Sequence, residues 1–120
     1  MMSLLDTDVI IEMLRGRKHE IGAVSIISLI EVLRGIEDQK RPKVKELLEE
    51  SFSPLDIDNK VIETYCELYR KLKDNGALVP DADLLVAATA IAYDVELRTK
   101  DEHFKRLEKL GLKLTQTPGK

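Results

Sequence analysis

The chain has 120 residues, 43% of them hydrophobic and 34% charged, with a formal net charge of −3. That length carries one domain, residues 1–120, with a core of its own, and the balance excludes a disordered or membrane-embedded chain. Mixed charge also excludes a uniformly basic nucleic-acid coat, while leaving room for a local basic groove.

Short apolar runs alternate with longer helical patterns. Ser3–Asp6 reads as a strand and Asp8–Leu14 as a helix stopped by Gly16. Ile21–Val24 is a second strand, after which Ser25 can cap a helix through "IISLIEVLRG" to about Ile36. Pro42 starts the helix "PKVKELLEESF", followed by extended chain around Leu55 and Ile57. Val61, Tyr65, Leu68 and Leu72 recur at helical spacing, so Asn59–Asp74 should be an amphipathic helix closed by Asn75-Gly76. Cys66, the single cysteine, lies close to Ile62 and Tyr69 on one side of that helix and is expected to be a buried small apolar residue.

Pro80 and Asp81 open "DLLVAATAIAY", apolar nearly all round and therefore expected at the centre. "VELRT" is a strand, "DEHFKRLEKLG" a helix ended by Gly111, and "LKLT" a last short strand. Strands separated by helices imply parallel pairing with right-handed crossovers, an α/β class with a central parallel sheet between helical layers. No internal repeat or linker divides the chain. One cysteine forbids an intrachain disulfide, and a reducing cytoplasm is the expected setting. Scarce Asn and Gln beside many Lys and Glu lean toward a heat-adapted source. The start "MMSLLDTDVIIEML" lacks the basic head and unbroken apolar stretch of a signal peptide. No apolar run approaches the roughly 20 residues that span a bilayer, so no membrane is expected.

In open parallel sheets, ligands bind beyond the carboxyl ends of the strands. Acids gather at that edge: Asp6 ends the first strand, Asp101 follows "ELRT" by two residues, Asp83 lies in the first turn of the apolar helix, and Glu31 sits in "ISLIEVL" after the second strand. Each also has a simpler explanation. Asp8 and Asp81 suit helix starts, Asp83 suits a helix dipole, and Asp101 can cap the helix that follows it. Glu31 is harder to dismiss, because Ile30 and Val32 flank it; pairing with Arg34 is its structural alternative. Together these acids form a set of like charges that raise one another's pKa. A divalent cation relieves that repulsion, and hard oxygen donors suit Mg²⁺ or Mn²⁺. His19 and His103 are far apart in sequence, which argues against zinc. Carboxylates around such an ion are a device for phosphoryl chemistry. The chain has no G-x-x-x-x-G-K-S/T loop and no G-x-S-x-G elbow.

"LLDTDVIIEML", "SIISLIEVLRG", "DADLLVAATAIAYDVEL" and "RTKDEHF" together resemble a PIN domain, specifically the small VapC-type toxins of toxin–antitoxin pairs. The likeness spans nearly the whole chain, with the motifs in the family's order. It implies a metal site formed by Asp6 of D-T-N/D, Glu31 of E-V/L-x-x-G, Asp83 before the alanine-rich run, and Asp101 of T-x-D, with Thr99 orienting Asp101 or a water. Asp8 holds the third place of the first motif, and His103 stands where many members carry another Asp. The resemblance further implies a Mg²⁺- or Mn²⁺-dependent endoribonuclease, an RNA substrate, a homodimer, and a VapB-like antitoxin that places an arginine among the acids. Arg15 to His19, and Lys40, Arg41 and Lys43, are candidate phosphate contacts. Two other functions fit parts of the pattern. "LLDTDVI" nearly matches the D-x-D-x-T/V nucleophile motif of HAD-type phosphatases, with Asp6 phosphorylated and Asp8 as acid/base, although Ile10 stands where Thr or Val belongs. A catalytically inert PIN-like binding module is the other.

Overall fold

Leu4 and Leu5 are neighbours in the first strand, β1 (Ser3–Leu5), and both are fully buried. Successive side chains on a strand face opposite ways, so both faces of the sheet must be covered. Leu4 and Ala23 join a cluster with Val61, Leu68, Leu84 and Phe104, whereas Leu5 and Val24 join Val9, Ile10, Leu29 and Leu48. The computed structural model describes residues 2–16 and 21–116.

After β1 come α1 (Thr7–Gly16), β2 (Ala23–Ser25), α2 (Ile26–Leu33), α3 (Arg41–Ser51), β3 (Ser53–Leu55), α4 (Asn59–Asp74), α5 (Asp81–Ala92), β4 (Glu96–Thr99), a 3₁₀ helix (Glu102–Leu110) and β5 (Leu114–Gln116). The five strands form one sheet in the order β3-β2-β1-β4-β5, with every pair parallel. Helices α1, α2 and α3 supply one apolar layer; α4, α5 and the 3₁₀ helix supply the other. The expected α/β/α sandwich is the observed one. Among the described residues no helix is long and apolar enough to cross a membrane.

Local signals account for most element ends. The Ser25 side chain accepts the Ser28 N–H and caps α2 as expected, and Asp58 caps α4 through the Val61 N–H at 3.0 Å. α2 stops at Leu33 rather than Ile36, because Arg41 takes over its last turn. The Arg41 guanidinium donates to the carbonyls of Leu33 and Ile36 at 3.1 and 2.9 Å and to Asp38 at 2.6 Å. Strand β2 starts at Ala23, later than expected. A Cβ on Gly22 would stand 3.0 Å from both Leu5 Cγ and the Ser3 carbonyl, so the chain passes β1 more closely there than a side chain allows.

One expectation is refined and another is overturned. The segment after Asp101 is a 3₁₀ helix, and its apolar residues Phe104, Leu107 and Leu110 recur every three positions, the period of that helix. Gly111 ends it with φ of 111°, in the left-handed region. Cys66 is exposed, not buried. Helix α4 turns Val61, Leu68 and Leu72 to the core, which leaves Ile62, Cys66 and Tyr69 facing outward.

Candidate active site

The sheet order reverses beside β1: the chain runs outward through β2 and β3, then returns to place β4 on the other side. Such a reversal parts the connecting helices above the strand ends and opens a crevice. Asp6, immediately after β1, lies there. Its main-chain N–H donates to the Arg98 carbonyl at 3.0 Å, carrying the β1–β4 pairing one residue beyond the strand. Its side chain is only 7% exposed. Oδ1 accepts the Thr7 N–H at 2.9 Å, and Oδ2 accepts the Thr99 hydroxyl at 2.7 Å.

Thr99, the fully buried last residue of β4, also accepts the Asp101 N–H through Oγ1 at 3.0 Å. One hydroxyl thus joins an acid at the start of the chain to another near its end. Asp101 caps the 3₁₀ helix by accepting the His103 N–H at 2.9 Å, and His103 Nδ1 stands 2.8 Å from the same Oδ1. Its simpler role is therefore real, and coexists with a place in the crevice. Glu31, on α2, accepts the Thr7 hydroxyl at 2.6 Å. Arg34 forms no ion pair with it among the described residues, so the structural alternative is not the one adopted. Asp83 occupies the first turn of α5, where a helix dipole favours negative charge.

Asp6, Thr7, Asp8, Ile11, Glu31, Arg34, Asp83 and Asp101 line one cavity of about 350 Å³. All four acids picked out from the sequence meet there, with Asp8 as a fifth. Burial pushes the Asp6 carboxyl up to about 6, opposed by the Thr99 hydrogen bond and helped by the charge of Asp8. Asp83 is raised by burial and by the charges of Asp101 and Glu31, with His103 acting against them. Asp8 is raised chiefly by burial, although the Lys100 N–H opposes the shift. Its Oδ1 is buried with no hydrogen-bond partner among the described residues. An orphaned carboxylate oxygen beside four further carboxylates lining the same cavity is the donor chemistry a hard divalent cation satisfies. As the side chains stand, no group of three His, Cys, Asp or Glu among the described residues is close enough to hold an ion.

The basic candidates fare unevenly. Arg41 is committed to the end of α2, and Lys40 lies 4.0 Å from Glu37 on an exposed helix start. Arg17, Lys18 and His19 lie outside the described residues. Arg15 lines a second groove of about 550 Å³ with Glu12 and Lys100; it shares Asp8 and Ile11 with the acid cavity. Lys100 pairs with Glu12 at 2.8 Å. Sequence reasoning passed over Thr7 and Lys100. Thr7 was visible only as the uncharged residue between two acids, and Lys100 only as a lysine beside Asp101.

A family model for the PIN domain matches residues 3–110. The chain is 41% identical over 115 residues to Ribonuclease VapC1 of Methanocaldococcus jannaschii, covering 92% of this chain and 85% of that protein. It is 31% identical over 87 residues to Ribonuclease VapC4 of Mycobacterium tuberculosis, covering 68% and 67% of the two chains. The fold is also that of VapBC2 from Rickettsia felis, a complex solved with a promoter DNA fragment (TM-score 0.83, 23% identity, 98% and 99% of the chains covered). VapBC from Salmonella typhimurium, likewise bound to DNA, superposes with a TM-score of 0.84 at 20% identity over 97% and 98% of the chains. These likenesses leave the HAD-type phosphatase reading without support. With its sheet order, its acid-lined crevice and a match over nearly its whole length, the chain belongs to the PIN-domain family and is VapC-type.

Proposed function

We propose that the protein is a divalent-cation-dependent endoribonuclease toxin, held inactive by a VapB-like antitoxin. The observation that carries this reading is the cavity at the β1–β4 crevice, lined by Asp6, Glu31, Asp83 and Asp101 from four separate segments. The 41% identity to a ribonuclease supports it. So do the solved toxin–antitoxin complexes of the same fold, which support an antitoxin partner. A homodimer and a cytoplasmic setting belong to the same reading.

Asp6, Glu31, Asp83 and Asp101 are the residues that would hold Mg²⁺ or Mn²⁺, with Asp8 close by. The ion supplies positive charge against the phosphodiester and makes an attacking water more acidic. The rest of the work falls to the chain. Thr99 holds Asp6 and the Asp101 main chain together, so the end of β1 and the turn after β4 keep a fixed spacing. Apolar Ile11 forms part of the wall. Arg34, which lines the cavity, and Arg15 and Lys100, which line the adjoining groove, would meet the phosphates of a strand passing over the acids. An antitoxin arginine entering the cavity would meet carboxylates in bidentate fashion and supply the charge an ion supplies.

The test is cleavage of a mixed RNA pool by antitoxin-free protein with Mg²⁺, Mn²⁺ or EDTA, beside Asp6→Asn and Asp8→Asn. Discrete cuts that need the metal are expected, lost for the most part in Asp6→Asn and largely kept in Asp8→Asn. Equal losses in the two variants would overturn the division of labour between them. A folded wild-type chain that neither cuts RNA nor binds Mn²⁺ would make this an inert binding module.

A further inference from the structure

Thr7 is the uncharged member of "LLDTDVII", and it touches two carboxylates that arrive from different directions. It is the first residue of α1, and its main-chain N–H donates to Asp6 Oδ1 at 2.9 Å. Its hydroxyl donates to Glu31 Oε1 at 2.6 Å, across 24 residues of sequence and from one helix to the next. The surrounding contact between α1 and α2 is apolar, with Val9, Ile10 and Met13 packed in the cluster that holds Leu29, Val32 and Leu33.

The chemistry of the donor matters. A lysine or arginine at this place would neutralise Glu31 and compete with a cation. A hydroxyl fixes a carboxylate without cancelling its charge, and engages one oxygen while leaving the other for a ligand. Threonine is also branched at Cβ, which narrows the directions its hydroxyl can take. Arg34 lines the same cavity yet leaves Glu31 to Thr7.

On the reading of the cavity as a divalent-cation site, on which this assignment rests, we propose that Thr7 is a positioning residue that holds Asp6 and Glu31 at a set spacing before the cation arrives. Its main chain fixes the first acid and its side chain fixes the second. It acts through those two acids.

The hydroxyl can be removed without touching the main-chain bond. Mn²⁺ affinity is measured by calorimetry on antitoxin-free wild type, Thr7→Val, Thr7→Ser, Glu31→Gln and the Thr7→Val/Glu31→Gln double variant, with Asp6→Asn as control. Thr7→Val is expected to weaken Mn²⁺ binding by about tenfold, the usual scale for residues that orient metal ligands. Thr7→Ser should restore most of it. In the Glu31→Gln background Thr7→Val should add nothing, since the hydroxyl acts through Glu31. Circular dichroism checks the fold, and Thr7→Ala replaces Thr7→Val should the valine variant not fold. An undiminished affinity in Thr7→Val, with wild type binding and Asp6→Asn not, overturns the role of Thr7 and leaves the cation site standing. An equal loss with and without Glu31 also overturns it, because the effect then does not run through that acid. Wild type that binds no Mn²⁺ takes down both.

Discussion

At the residue scale, Asp6 holds a carboxylate where burial disfavours its charge, and its pKa rises to about 6 in consequence. An acid whose folded pKa lies above its unfolded value of 3.8 binds its proton more tightly in the folded state. Its destabilising effect is therefore complete above the folded value and fades as pH falls through about 6 toward 3.8. Without metal, wild type is expected to gain stability from this group between pH 8 and pH 5, whereas Asp6→Asn should lack that component. At pH 8 the charge costs on the order of 3 kcal/mol. Asparagine cannot accept both the Thr7 N–H and the Thr99 hydroxyl, which returns about 1 kcal/mol. Asp6→Asn should thus be more stable than wild type at pH 8 in EDTA by about 2 kcal/mol, with the gap closing by pH 4. Urea denaturation at several pH values reads the difference, and a gap independent of pH would show that Asp6 is not the group titrating.

At the element scale, the close pass of Gly22 against β1 leaves no room for a side chain. Gly22→Ala would bring a methyl group within 3.0 Å of Leu5 Cγ and the Ser3 carbonyl. The expected cost is about 1–3 kcal/mol, as for overpacking elsewhere, read as a lower denaturation midpoint with an unchanged slope. How far each element was legible depended on how many independent signals agreed. Asn59–Asp74 carried a regular apolar spacing and an Asn-Gly ending, and the helix has those bounds. Its orientation was less legible. Val61, Leu68 and Leu72 form one apolar stripe and Ile62, Cys66 and Tyr69 another beside it, and spacing alone does not say which faces the sheet. Likewise Phe104, Leu107 and Leu110 fit one face of either kind of helix, so a periodic pattern located that segment without choosing between α and 3₁₀.

For the whole molecule, the acids of the cavity were legible because Asp6 and Asp101 closely follow strands, Glu31 lies on the helix after β2 and Asp83 in the first turn of α5, and parallel sheets gather their functional residues at that edge. The hydroxyls that hold them were not. Thr7 and Thr99 find their partners 24 and 93 residues away, which no local pattern registers. A cation that binds only the folded chain stabilises it by mass action, about 2.7 kcal/mol at a hundredfold excess over its dissociation constant. Thermal melting of the antitoxin-free protein should therefore shift upward with Mn²⁺ and return with EDTA, and Asp6→Asn should show no such shift. A wild-type midpoint indifferent to Mn²⁺ would count against a cation site in this cavity.

The bond from the Thr99 hydroxyl to Asp6 has a consequence in time. Asp6 and Glu31 are made before Asp83, and the hydroxyl that pins Asp6 is made after all three, together with the neighbouring Asp101. Parallel pairing of β1 with β4 is the kind of long-range closure that folds late. A nascent chain therefore holds Asp6 unpinned until β4 has been made and has paired with β1, and only then is the crevice complete.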